Sequence, residues 1–169
     1  HASQSVNFST GNGCLSSVKS FEGDRSNEGR IVKNIGVIYH TLYNYPKALE
    51  YYELSLEIRR ELGDRKRECD LLGDIGNVYG HLYNFPKSLE YSEKSLVIAR
   101  EIGDRNSERI ALGNIGRVYE NLSEYPKALE YHEISLEISR ELGDRSGESK
   151  SLNNIGLIYH AVSNYPKEL

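Results

Sequence analysis

The amino-acid sequence predicts an all-α solenoid of antiparallel helix pairs, because one cassette recurs along it at a fixed spacing. The four prolines lie 40 residues apart, at Pro46, Pro86, Pro126 and Pro166. Two motifs keep the same spacing: Gly-Asp-Arg at 23–25, 63–65, 103–105 and 143–145, and Ile-Gly-x-x-Tyr beginning at Ile35, Ile75, Ile115 and Ile155. The stretches 65–104 and 105–144 are identical at 22 of 40 positions. Repeats of this length are typical of stacked modules that bury their apolar faces against their neighbours.

Each module begins with a predicted amphipathic helix, which in the unit 64–103 runs from residue 65 to 82. Its apolar residues recur at spacings of three, four and seven: Leu71, Leu72, Ile75, Val78, Tyr79 and Leu82. These spacings place them on one face of an α-helix. Asp64 precedes the helix and is its predicted N-cap, because a carboxylate accepts hydrogen bonds from the unpaired N–H groups of the first turn.

A second helix is predicted from residue 85 to 102 of the same unit. Pro86 lies in its first turn, where a backbone without an N–H group loses no hydrogen bond. Gly103 follows the last turn, where the left-handed residue that ends a helix is usually glycine. The short turns between helices make neighbouring helices antiparallel.

The repeat also predicts the organisation of the chain. We expect the solenoid to cover residues 24–169, with modules at 24–63, 64–103, 104–143 and a partial module at 144–169. Residues 1–23 are polar and glycine-bearing at their start, and we expect them to be disordered or a degenerate module end. Leu15, Val18 and Phe21 are interpreted as the remnant of an earlier second helix.

A glycine recurs on the buried stripe of each first helix, at Gly36, Gly76, Gly116 and Gly156. Glycine inside a helix costs about 1 kcal/mol relative to alanine, so a packing reason is expected. We predict that the second helix of each module approaches closely there, at the small residues Ala48, Ser88 and Ala128.

Composition and motifs exclude several classes of function. A net charge of −4 argues against a nucleic-acid binder, which needs a basic surface. The two cysteines, Cys14 and Cys69, have no metal-type spacing, and a reducing, cytoplasmic location is expected. No apolar run approaches the length of a membrane span. We find no nucleotide-binding or nucleophile motif, and therefore expect no catalytic residue, no cofactor and no metal site.

The repeated residues resemble those of the tetratricopeptide repeat (TPR) family. In the first module the family's pattern falls on Val32, Ile35, Gly36, Tyr39, Ala48 and Ser55. Modules in that family usually have 34 residues, whereas these have 40, and Arg60, Arg100 and Arg140 stand where the family has a proline. Long modules with Leu-Gly-Asn-Ile-Gly and Gly-Asp-Arg are similar to those of the Pins/LGN group of signalling scaffolds. Kinesin light chains and bacterial regulatory proteins carry similar modules.

The resemblance implies a right-handed superhelix whose first helices line a concave, peptide-binding face. The positions that would point into it are Arg30, Lys33, Asn34, Asp70, Asp74, Asn77, Asn114, Arg117, Asn121, Lys150, Asn153 and Asn154. Asparagine is frequent among them, and its amide offers the donor and the acceptor that match an extended peptide backbone. The functional prediction is therefore a scaffold or adaptor that binds an extended segment of a protein partner.

Charge on this face suggests two finer hypotheses. The acidic Asp70 and Asp74 lie between basic positions, which favours a ligand with a basic residue between acidic flanks. The clamp for a terminal carboxylate found in some TPR proteins fits badly, because Gly73 and Asn154 replace two of its cations.

Two alternatives to peptide binding stay open. In the first alternative, the chain is a self-assembling or spacer solenoid. In the second, it is the sensor region of a larger signalling or transcription regulator. Ile155, Ile158 and Tyr159 are apolar residues of the last predicted helix, 145–162, which has no predicted second helix to cover it. We therefore expect exposed apolar surface at this end, which favours self-association.

Overall fold

The computed structural model of the protein describes residues 25–164, which form seven α-helices and no strand. In chain order these are α1 (Arg25–Thr41), α2 (Tyr45–Glu61), α3 (Arg65–His81), α4 (Phe85–Glu101), α5 (Arg105–Asn121), α6 (Tyr125–Glu141) and α7 (Arg145–Asn164). The helices predicted over 65–82 and 85–102 each end one residue earlier than expected. Residues 1–23, with the predicted remnant at Leu15, Val18 and Phe21, lie outside the described part of the chain.

The helices stack in chain order, which confirms the predicted all-α solenoid. Each helix from α1 to α6 packs against the next one, and α5 also contacts both α3 and α7. The core lies between the odd-numbered and even-numbered helices and consists of several clusters of buried apolar residues. It contains Leu72 and Ile75 of α3, and Leu112 and Ile115 of α5, all almost fully buried.

Two kinds of turn connect the helices. Gly63, Gly103 and Gly143 adopt φ angles of 66°, 69° and 66° after the second helix of a module, as predicted for Gly103. The turn inside each module uses the same left-handed conformation without glycine, at Tyr43, Tyr83 and Ser123, with φ of 57°, 55° and 58°. Side chains rarely adopt this conformation because Cβ approaches the backbone, and the sequence alone did not indicate it.

Side chains cap most of the helices. Asp64 Oδ1 accepts a hydrogen bond from the backbone N–H of Arg67 at 3.2 Å, which confirms the predicted N-cap of α3. Asn44 and Asn84 cap the second helices in the same way, each at 3.3 Å. Glu124 takes that position before α6 and makes no capping bond.

Ion pairs connect each module to the next. Arg60 Nε donates to Glu68 Oε1 at 2.9 Å, Arg100 Nε donates to Glu108 Oε1 at 2.9 Å, and Arg140 Nε donates to Glu148 Oε1 at 3.1 Å. These arginines lie in the last turn of the second helices, so that turn provides an inter-module contact. Each arginine is exposed, so solvent screens the ion pair and weakens its contribution to stability.

The repeated glycines do permit close approach, but the main neighbour lies one turn beyond the predicted one. A Cβ atom on Gly36 would lie 2.7 Å from Cδ1 of Tyr52, and one on Gly116 would lie 2.8 Å from Cε1 of His132. The carbonyl oxygen of the predicted Ala48 is more distant, at 3.4 Å from the Gly36 position. The repeat position that Tyr52, Ser92 and His132 occupy therefore sets the spacing between the two helices of a module.

The last described helix, α7, carries the expected exposed apolar surface in part. Leu157 is 52% exposed and Tyr159 is 57% exposed. Ile155 is half-buried, and Ile158 is fully buried. The exposed residues are those on the side of α7 away from α6.

Candidate functional site

Two adjoining cavities open along the face formed by the first helices of the modules. The α3 cavity, of about 280 Å³, is lined by Lys33, Cys69, Asp70, Gly73, Asp74, Asn77, Ser95, Ser107, Ile110 and Asn114. The α5 cavity, of about 470 Å³, is lined by Arg109, Ile110, Gly113, Asn114, Arg117, His132, Ser135, Lys150, Ser151 and Asn154. Ile110 and Asn114 line both cavities, which therefore adjoin each other and are together called the groove.

Eight of the twelve predicted face residues line this groove. They are Lys33, Asp70, Asp74, Asn77, Asn114, Arg117, Lys150 and Asn154. The remaining four, Arg30, Asn34, Asn121 and Asn153, are exposed and line neither cavity. Asn121 Nδ2 donates to the carbonyl oxygen of Arg117 at 2.7 Å, within its own helix.

In the α3 cavity, lysines neutralise the carboxylates. Lys33 Nζ lies 2.9 Å from Asp74 Oδ2, which joins α1 to α3. Lys66 Nζ lies 3.1 Å from Asp70 Oδ1 and also pairs with Asp104 of the next module. Burial raises the pKa of Asp74 and Lys33 opposes that shift. Because both carboxylates have partners, the hypothesis of a basic ligand residue at Asp70 and Asp74 loses much of its electrostatic support.

The α5 cavity is cationic. Arg117 reaches back across α3, where its Nη2 donates to Asn77 Oδ1 at 2.5 Å, and it lies 3.5 Å from Asn114 Oδ1. Its partners are therefore neutral amides, and burial lowers the pKa of the guanidinium. Arg109 and Lys150 line the same space, and none of the residues lining it carries a carboxylate.

His132 lies at the floor of the α5 cavity, fully buried against Gly116. Neither ring nitrogen has a hydrogen-bond partner within the described residues. The nearest acidic atom is Oε2 of Glu120, 3.8 Å from Nε2. Burial, with a smaller contribution from Arg117, lowers the pKa of His132 to about 4, so the ring is neutral at pH 7.

The sequence reasoning missed several residues of the groove, among them Cys69, Ser107, Arg109 and His132. The usable signal was a change of residue type between modules. The repeat position of His132 holds Tyr52 and Ser92 in the first two modules. The position shared by Cys69 and Arg109 holds Gly29 in the first. Such a change marks a site where modules differ in function or packing.

Other kinds of site find no support in the part of the chain that the structure describes. No cluster of three or more histidine, cysteine or acidic side chains is arranged to hold a metal ion there. Among the seven helices, none combines the length and hydropathy that crossing a bilayer requires. Cys69 is a buried free thiol.

Several solved structures share this fold. The apo form of RapI aligns with a TM-score of 0.80 at 22% identity, over 91% of this chain and 43% of RapI. BtubC from P. vanneervenii aligns with a TM-score of 0.76 at 20% identity, over 90% of this chain and 63% of BtubC. A Rap protein complexed with Competence and Sporulation Factor gives 0.78 at 16% identity, over 91% of this chain and 43% of that protein. The likeness therefore establishes the fold, and this chain spans between 43% and 63% of those proteins.

The family comparison identifies the repeat directly. No curated protein sequence matches the chain significantly. The tetratricopeptide repeat family model, in contrast, matches residues 28–101, 67–137 and 108–169. These matches overlap and cover most of the chain, so the protein belongs to the tetratricopeptide repeat family and has the architecture of a helical-repeat protein-interaction scaffold.

Proposed function

We propose that the protein is an adaptor that holds an extended polypeptide segment in the groove formed by the α3 and α5 cavities. The observation that carries this proposal is that the two cavities adjoin and share Ile110 and Asn114. Because residues of the four first helices α1, α3, α5 and α7 line the groove, it suits an elongated ligand better than a compact one. Both polar and apolar surface line the groove, so hydrogen bonds would position the peptide backbone and apolar contacts would add to the affinity.

Asparagine amides provide the recognition chemistry in this proposal. Asn77, Asn114 and Asn154 line the groove from three successive modules. Each amide can donate to a peptide carbonyl and accept from a peptide N–H at the same time. A row of such amides binds an extended backbone with little dependence on its side chains, and charged neighbours then select among sequences.

The similar structures support the proposal by analogy. One of them is a Rap protein complexed with Competence and Sporulation Factor. The adaptor role would place this chain in a signalling assembly of the cytoplasm. The buried free thiol of Cys69 fits such a reducing location.

Replacing Asn77 and Asn114 with alanine tests the groove directly. A displayed library of random peptides is selected against the wild-type protein, and the dissociation constant of an enriched peptide is then measured by calorimetry. We expect the Asn77→Ala, Asn114→Ala double variant to bind at least about tenfold more weakly, because each amide loses two hydrogen bonds to the backbone.

The matched control replaces two exposed residues of the second helices, Glu57→Ala and Glu137→Ala. This variant should bind the peptide as the wild type does. Equal affinity of the groove variant and the wild type, with both proteins fully helical, would refute the proposal.

The competing function is self-association through α7, which the exposed Leu157 and Tyr159 favour. Under this alternative the groove asparagines do not matter for assembly. Sedimentation of the Asn77→Ala, Asn114→Ala variant would then show the same oligomer as the wild type, and no library peptide would bind in the groove.

A further inference from the structure

We propose that the α5 cavity is a subsite for a phosphoryl group carried by a side chain of the bound polypeptide. This inference rests on the proposed function, since it assigns a ligand chemistry to one part of the same groove. It differs from the clamp for a terminal carboxylate, which requires cations at Gly73 and Asn154.

The charge of the cavity supports a ligand with two negative charges. Three cations line it, Arg109, Arg117 and Lys150. Arg109 Nη2 lies 3.2 Å from Asp144 Oδ2 and is therefore neutralised. Arg117 and Lys150 form no salt bridge within residues 25–164, and the acidic neighbour of Arg117, Glu120, does not line the cavity. Two cations without ion pairs remain, and a phosphorylated side chain carries about −1.5 to −2 charges at neutral pH.

The hydrogen-bonding groups of the cavity also suit a phosphoryl group. Its oxygens are strong acceptors, and the cavity offers the guanidinium of Arg117, the ammonium of Lys150 and the amide of Asn154. A planar guanidinium donates to two phosphoryl oxygens at once. A single carboxylate would leave about one of the two cations uncompensated.

His132 provides an independent indication of an absent ligand. It is 0% exposed, it lines the cavity, and both of its ring nitrogens lack a hydrogen-bond partner in the described chain. A buried polar group without a partner is costly. A phosphoryl oxygen in the cavity would accept a hydrogen bond from the ring N–H, which removes the share of that cost that comes from the donor.

The neighbouring α3 cavity differs from the α5 cavity in the charged residues that line it. It shares Asn114 and Ile110 with the α5 cavity, but Asp70 and Asp74 line it. These carboxylates are already paired with Lys66 and Lys33, so the described lining of the α3 cavity offers a phosphoryl group no cation without an ion pair. The subsite is therefore confined to the end of the groove between α5 and α7, and this sets the register of the bound segment.

Titration with inorganic phosphate tests the subsite without any peptide. The affinity of the wild-type protein is measured from the ring resonances of His132, with formate as the singly charged comparison. We expect phosphate to bind at least about tenfold more tightly than formate and to shift the His132 ring signals. Arg117→Gln and Lys150→Gln should each weaken phosphate binding by about tenfold.

The matched control is Lys127→Gln, which removes an exposed cation of α6 that lies outside the cavity. It should leave phosphate binding unchanged. Lys150 is itself exposed, so its variant retains the fold even if Arg117→Gln does not. Equal affinities for phosphate and formate, or equal loss in the Lys127 and Lys150 variants, would overturn the inference.

A second arm separates this inference from the proposed function. A groove-binding library peptide is synthesised with serine, phosphoserine or glutamate at each position in turn. At one position of the peptide, the phosphoserine version should bind about tenfold more tightly than the glutamate version. This preference should be lost in the Lys150→Gln variant. If peptides bind in the groove with no such preference, the inference fails while the proposed function stands. If phosphate binds in the cavity but no peptide binds in the groove, the proposed function fails.

Discussion

Replacing Gly36 with alanine is expected to destabilise the protein by up to about 2 kcal/mol, although alanine is the better helix former. The added Cβ would lie 2.7 Å from Cδ1 and 2.8 Å from Cε1 of Tyr52, whose ring is almost fully buried. Overpacking of this kind costs about 1–3 kcal/mol. The gain in helix propensity, about 1 kcal/mol, offsets only part of it.

The same substitution at Gly156 is expected to have the opposite sign. Gly156 occupies the equivalent position of α7, and no atom from another helix of the described chain lies within 4 Å of the point that an added Cβ would occupy. Gly156→Ala should therefore stabilise by up to about 1 kcal/mol through helix propensity. Urea denaturation of both variants measures the two changes in unfolding free energy. Stabilisation by Gly36→Ala would show that the glycine does not set the spacing of α1 and α2.

Protonation of His132 is expected to make the protein less stable in mild acid. Burial lowers the pKa of His132 from 6.5 to about 4. Between these two values the unfolded chain binds a proton that the folded chain excludes, so the free energy of unfolding falls as the pH falls. The stabilisation is complete above pH 6.5 and is lost progressively down to about pH 4. The shift corresponds to about 3 kcal/mol.

Burial of the ring sets the sign of this effect, and Arg117 of α5 adds to it, because both disfavour the charged imidazole. Glu120 of the same helix, whose pKa burial raises, lies 3.8 Å from Nε2 and favours the charged imidazole when it is ionised. His132→Tyr is the matched control, because Tyr52 occupies the equivalent position of the first module. Urea denaturation from pH 7 to pH 4 should show a loss about 3 kcal/mol smaller in this variant. Parallel pH profiles for the two proteins would assign the acid sensitivity to other groups.

The repeat made most of the fold predictable. Apolar spacing, Asp64 and Gly103 are local signals, and they placed the helices of one module to within a residue at their ends. The 40-residue repeat then extended that assignment to the other modules. The left-handed residues Tyr43 and Tyr83 were not predictable in this way, because the stacking of two helices, and no property of tyrosine, imposes their backbone conformation.

The groove was predictable only in outline. Asn34 and Asn114 occupy the same repeat position, yet Asn114 lines both cavities and Asn34 neither. The difference arises because Asn114 has modules on both sides within the described chain. Charge was harder still to read. The Lys66–Asp70 pair has the i, i+4 spacing of helix neighbours and is visible in the sequence, but the partner of Asp74 comes from another module. This second pair depends on a three-dimensional neighbour that a linear pattern does not contain.

Amide chemical-shift mapping with a library-selected peptide is the most direct test of whether an extended segment binds along the first helices. We expect the largest shifts to follow one line across α3, α5 and α7, at Asn77, Asn114 and Asn154. Shifts concentrated on the exposed faces of α2, α4 and α6, at Glu57, Glu93 and Glu137, would contradict it.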